Sequence, residues 1–149
     1  MIDFPIYVLD SFAFLAYLTD EPSAARIEKL IEDAKNAECR LLLPLVKLGE
    51  ILYIIERRGD VTKAQETLAL LRQLPIEILP ADEQAVFSAA QIKAGPFLIV
   101  CRCLCFRVAL RQDAIVLTRD PEFQSVKKLI TIEWLMMLKR SGQSLKCSQ

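Results

Sequence analysis

The sequence predicts an α/β fold, a parallel sheet covered by helices on both faces. Two observations predict it. Tyr7–Leu9 and Ile115–Leu117 are apolar without alternation, as strands buried on both faces are. Between such runs lie stretches whose apolar residues recur at helical spacing, so strand and helix alternate along the chain. A length of 149 residues, 53% of them hydrophobic, suits one domain with a substantial core and excludes a disordered chain.

The elements follow in order. Tyr7–Leu9 is the first strand. Ser11–Leu18 is apolar all round and reads as a helix, broken at Thr19-Asp20-Glu21-Pro22. Ser23 can cap a second helix, whose Ile27, Leu30 and Ile31 share one face. Arg40–Leu43 is the second strand. Pro44 opens a helix through Leu45, Leu48, Ile51, Leu52 and Ile55, which closes on Arg57-Arg58-Gly59 with cations and a glycine. Thr62 begins a helix with Ala64, Leu68 and Leu71 on one side. Ile76–Leu79 is the third strand, and Asp82 caps a helix running to about Ala94. Phe97–Leu110 reads as a helix of unusual composition. Ile115–Leu117 and Leu129–Ile132 are the fourth and fifth strands, and Trp134–Leu138 a terminal helix. Residues 1–140 form the expected domain, and 141–149 a flexible tail.

Composition narrows the chemistry. The 19 Lys and Arg balance the 19 Asp and Glu, so nucleic-acid binding would need a local basic face such as Arg57-Arg58. With no histidine, His-based nuclease chemistry, Ser-His-Asp or Cys-His nucleophiles and His-ligated zinc are excluded. Five cysteines, three of them in Cys101-x-Cys103-x-Cys105, do not make a secreted disulfide framework, and their spacing is poor for zinc. No signal peptide is read at the N-terminus, and the apolar run 96–106 is short and broken by Arg102, so a membrane span is not expected. A reducing cytoplasm is the expected compartment.

Three acids stand out. Asp10 ends the first strand, Asp120 follows the fourth, and Glu50 lies one turn into the helix after Pro44. Acids at the carboxyl ends of strands in an open α/β sheet converge on the crevice where such folds bind ligands. Converging carboxylates repel unless a cation neutralises them, and Mg²⁺ or Mn²⁺ suits oxygen donors. The plainer readings stay open here. Asp10 and Asp120 each suit a helix cap, and Glu50 could pair with Lys47 or Arg57 at a helix edge. Glu38, Glu56, Glu66, Glu83 and Glu133 read as solvated charges. A phosphoacceptor module would want a strand-end Lys beside its Asp, which is not found, and there is no glycine-rich phosphate loop.

The segments Tyr7-Val8-Leu9-Asp10-Ser11, Val46 to Leu52, Ala90 to Ala94 and Val116 to Phe123 resemble, in order, motifs of the PIN-domain family, most closely its VapC-type toxins. Arg119 stands where that family often has glycine. The resemblance implies a three-layer α/β/α sandwich with a central parallel sheet of four to five strands. It also implies a Mg²⁺- or Mn²⁺-dependent endoribonuclease, with RNA as substrate, an antitoxin partner and a homodimer. Asp10, Glu50 and Asp120 would be the first, second and fourth acids, both catalytic and metal-binding, with Ser11 and Thr118 as auxiliary hydroxyls.

The family's third acid lies about nine residues after its Ile-Lys-Ala lysine and about sixteen before the Thr of the last motif; counts from Lys93 and Thr118 both reach Arg102. One permitted back-translation of 99–108, read one base later, gives Leu-Ser-Ala-Asp-Ala-Phe-Ala-Ser-Ala, which resembles the family's third motif with its Asp at 102. A compensated pair of single-base shifts between Gly95 and Ala109 is one origin of Arg102; divergence of a buried helix is the other. A guanidinium stays charged and pairs with carboxylates, so Arg102 is expected to bridge Asp10 or Asp120 and compete with a metal. The expectation is impaired cleavage, or, as the alternative, an inactive binding module of the same fold.

Overall fold

The computed structural model describes residues 4–93 and 100–135. Five parallel strands form one sheet in the order β3-β2-β1-β4-β5. They are β1 (Ile6–Leu9), β2 (Arg40–Pro44), β3 (Ile76–Leu79), β4 (Ile115–Thr118) and β5 (Thr131–Trp134). The helices are α1 (Ser11–Leu18), α2 (Ala24–Lys35), α3 (Leu45–Arg57), α4 (Val61–Gln73), α5 (Glu83–Lys93) and α6 (Val100–Gln112). A 3₁₀ turn, Pro121–Val126, joins β4 to β5.

The apolar runs are explained by what covers them. Successive strand residues point to opposite faces. Tyr7, Leu9, Leu41, Leu43 and Leu117 face a core built with α1 to α4, among them Phe14, Ile27, Leu30 and Ile51. Val8, Leu42 and Val116 face the other side, against Cys105 and Ala109 of α6 and Phe123. Beyond that face, Ala85 and Ala89 of α5 pack on Cys103, Leu104 and Phe106 of α6. The architecture is the expected three-layer α/β/α sandwich.

Most expected elements stand within a residue or two, and the departures have local causes. α4 starts at Val61 rather than Thr62, because Asp60 accepts a hydrogen bond from the Lys63 amide at 2.8 Å. Ser23 precedes α2, but its hydroxyl makes no capping bond; it is buried without a hydrogen-bond partner among the described residues. Asp82 caps α5 as expected, through the Ala85 amide at 2.7 Å. Gly59 takes a φ of +93° just past α3, which L side chains resist.

The last strand is shifted. Ladder pairing extends β5 to Trp134, opposite Thr118, so Trp134 belongs to a strand and not to the start of a helix. Leu135 is not helical either, its amide donating to Thr118 O at 2.9 Å. Residues 136–138 of that expected helix, the tail at 141–149, Ala94 and the Phe97–Ile99 portion of the sixth helix lie outside the described residues. Glu133, expected to be solvated, is held by Arg26 at 2.8 Å. Cys103 and Cys105 lie two apart on α6 and enter different apolar clusters. Among the described residues no helix is long and apolar enough to cross a membrane.

Candidate active site

The chain runs outward from β1 through β2 to β3, then returns to place β4 on the other side of β1. The crevice at such a reversal, beyond the carboxyl ends of the strands, is where open α/β sheets hold ligands. Asp10 and Thr118 lie at this edge. The Asp10 amide donates to Leu117 O at 3.1 Å, continuing the β1–β4 ladder by one bond.

Asp10 is fully buried, and its oxygens are all engaged. Oδ1 accepts from the Ser11 amide at 2.9 Å and faces Lys47 Nζ at 2.8 Å. Oδ2 accepts from the Thr118 hydroxyl at 2.8 Å. That hydroxyl in turn accepts from the Asp120 amide at 3.0 Å, which ties the two strand-end acids together. Asp120 Oδ1 caps the 3₁₀ turn through the Glu122 amide at 3.0 Å, and its Oδ2 is paired to Arg102 Nε. The same guanidinium reaches Glu122 Oε2 at 2.8 Å. On the far side, Lys47 Nζ meets Glu50 Oε2 at 3.2 Å.

The result is one continuous network: Glu50, Lys47, Asp10, Thr118, Asp120, Arg102 and Glu122. Asp10, Glu50 and Asp120 are thus linked, but through cations and a hydroxyl instead of directly. The cap readings of Asp10 and Asp120 and the pairing of Glu50 with Lys47 are all realised alongside the clustering. Glu50 is a third exposed, more open than its apolar neighbours in sequence suggest. The Ser11 hydroxyl is buried without a hydrogen-bond partner among the described residues.

Two cations dominate the electrostatics. The Lys47 side chain is only 3% exposed. Burial opposes its charge, but the nearby Cys105, Asp10 and Glu50 outweigh that cost and hold its pKa above the ordinary lysine value. Arg102 is opposed by burial in the same way, and Asp120, Glu122 and Asp10 hold it charged. At the rim, Arg119 pairs with Glu21 and lies 5.3 Å over the Phe12 ring.

A hard divalent ion needs carboxylate oxygens that are open to it. Here a cation of the chain already faces each acid: Lys47 lies against Asp10 and Glu50, and Arg102 against Asp120. Among the described residues, no three Cys, Asp or Glu side chains are grouped so as to hold a metal ion. The donor set as it stands does not fit such an ion.

Sequence reasoning missed two members of this network. Lys47 entered only as a partner for Glu50, although its place beside Leu48 and Ile51 signals a lysine turned toward the core. Glu122 was passed over within the Asp-Pro-Glu-Phe motif. Its proximity to Arg102 is a tertiary fact that spacing does not disclose.

A family model described as the PIN domain matches residues 7–129. Solved structures share the fold over almost their whole length. One is a chain of a Rickettsia felis VapBC complex bound to a promoter DNA fragment, 18% identical, covering 88% of this chain and 99% of that one with a TM-score of 0.66. A DNA-bound VapBC from Salmonella typhimurium matches at 20% identity, covering 87% and 97%, with a TM-score of 0.62. A VapBC from nontypeable Haemophilus influenzae matches at 18%, covering 87% and 97%, with a TM-score of 0.63. At such identities the likeness is one of fold. No curated protein sequence matches the chain.

Proposed function

The chain belongs to the PIN-domain family, and from that membership we propose that it is a toxin-class protein of a toxin–antitoxin pair, an RNA-cleaving nuclease impaired by Arg102. The family is generally one of divalent-metal-dependent nucleases. The finer reading assigns Mg²⁺ or Mn²⁺ as the ion, RNA as the substrate and Asp10, Glu50 and Asp120 as the acids, assisted by Ser11 and Thr118. An antitoxin partner is supported by the fold likeness to chains of VapBC complexes. A homodimer and a cytoplasmic setting belong to the same reading.

The observation that carries the proposal is the hydrogen bond of Thr118 to Asp10, with Asp120 two residues on and Arg102 against it. Two strand-end acids joined through one hydroxyl at the switch point, with an arginine at the position counted for a further acid, support this reading. The same pairing of Arg102 with Asp120 and Glu122 favours the second reading, a PIN-fold module that binds its partner without cleaving RNA.

Calorimetric titration of Mg²⁺ or Mn²⁺ into the unaltered chain and Arg102→Asp, beside an RNA cleavage assay, tests the proposal. Weak metal binding and weak cleavage are expected of the unaltered chain, with both rising in Arg102→Asp. Strong metal-dependent cleavage by the unaltered chain overturns the impairment. Metal binding without cleavage in Arg102→Asp favours the binding module. The nucleotide sequence decides the origin of Arg102: an alternate frame that encodes an acid at this position identifies a compensated shift.

A further inference from the structure

Arg102 is one of two cations in the acid network, and the other lies deeper. Lys47 projects from the first turn of α3 into the space between that helix and the end of β1. Its side chain is 3% exposed, and its ammonium lies 2.8 Å from Asp10 Oδ1 and 3.2 Å from Glu50 Oε2. Asp10 itself is fully buried. Glu50 sits three residues further along the helix, on the same side of it as Lys47. One cation is therefore shared between two of the three acids that the reading above assigns to a metal.

We infer that Lys47 is the resident counter-ion of this centre and bars divalent metal from Asp10 and Glu50 independently of Arg102. The inference rests on the reading of those acids as the metal-binding set. It follows from charge and space. A buried carboxylate needs a cation, and the chain supplies one covalently, held within 3.2 Å of both acids by the packing of α3. For a metal to reach Asp10, the ammonium must leave two carboxylates and find water from a buried position. Arg102 is separate, because its partners are Asp120 and Glu122. The two cations bar opposite ends of one network, and removing either leaves the other in place.

The consequence differs from that of an Arg102 block alone. Arg102→Asp opens the Asp120 end only, so its gain in metal affinity is partial. The full effect requires Lys47 to be neutral as well, and Lys47→Arg, which keeps the charge, gives no gain.

The experiment measures Mn²⁺ affinity by the loss of the free-ion electron paramagnetic resonance signal, using the full chain. The proteins are the unaltered chain, Arg102→Asp, Arg102→Asp with Lys47→Gln, and Arg102→Asp with Lys47→Arg, each checked for fold by circular dichroism. The Lys47→Gln double variant is expected to bind at least about tenfold more tightly than Arg102→Asp, a difference of ~1.4 kcal/mol. The Lys47→Arg double variant is expected to match Arg102→Asp. Equal and tight binding by Arg102→Asp and the Lys47→Gln double variant overturns the inference while leaving the proposed nuclease intact, whereas equal and weak binding overturns both. Tight Mn²⁺ binding by the Lys47→Gln double variant without RNA cleavage upholds the inference and overturns the nuclease. Should Lys47→Gln prevent folding, Arg102→Asp decides alone: a partial gain in affinity over the unaltered chain supports the bar, and either no gain or tight binding with Lys47 in place overturns it.

Discussion

Lys47 and Asp10 form a buried ion pair, and such pairs are asymmetric in their energetics. Taking both charges out of water costs about as much as their attraction returns, so the intact pair adds little, whereas removing one partner strands the other. Lys47→Met is therefore expected to destabilise the chain by about 3–5 kcal/mol, read from urea unfolding at neutral pH. The pKa of Lys47 is raised on folding, so the stability it lends is complete below the ordinary lysine value of 10.5 and is lost as pH rises through the folded value. The gap between the unaltered chain and Lys47→Met is thus expected to begin narrowing only above about pH 10.5, which unfolding series at neutral and alkaline pH will check. Asp10, Asp120 and position 102 were legible in the sequence because each lies at a fixed offset from a strand or motif. The part played by Lys47 was not, since an ion pair over 37 residues depends on how α3 packs against β1.

At the scale of elements, the punctuation between α3 and α4 is compact and testable. Gly59 has φ +93° with open space where a side chain would stand, so only backbone strain opposes substitution. Gly59→Ala is expected to cost ~1–2 kcal/mol in thermal or urea unfolding. Asp60→Ala, which frees the Lys63 amide at the start of α4, is expected to cost about 1 kcal/mol in the same assay. A double variant should sum the two only if the loop does not rearrange, because the residues are adjacent. Where a helix carries a single apolar stripe, as α2 does, its start was readable to within a residue. β5 was not: Leu129-Ile130 looked like strand, but Leu129 is two-thirds exposed and pairing with β4 begins at Thr131. Apolar character marked the neighbourhood of that strand, and the ladder set its register.

For the whole molecule, the neutral overall charge conceals a local compensation of acids by Lys47 and Arg102 within one network at the sheet's switch point. A ligand stabilises a protein by an amount that grows with the logarithm of the ratio of its concentration to its dissociation constant, and adds almost nothing below that constant. The melting temperature of the unaltered chain is therefore expected to move by less than about 1 °C on adding millimolar Mg²⁺ or a chelator, as scanning calorimetry will check. A rise of several degrees with Mg²⁺ would show a centre open to metal despite both cations. By itself the sequence determined the α/β class, the alternation of strands and helices, and the candidate acids, because hydrophobic period and strand-end position are local properties of the chain. Only the tertiary structure decided what neutralises those acids. Charge compensation in a buried site depends on which side chains the packing brings within about 3 Å, and residues 10, 47, 102 and 120 become neighbours only when the sheet reverses at β1 and β4.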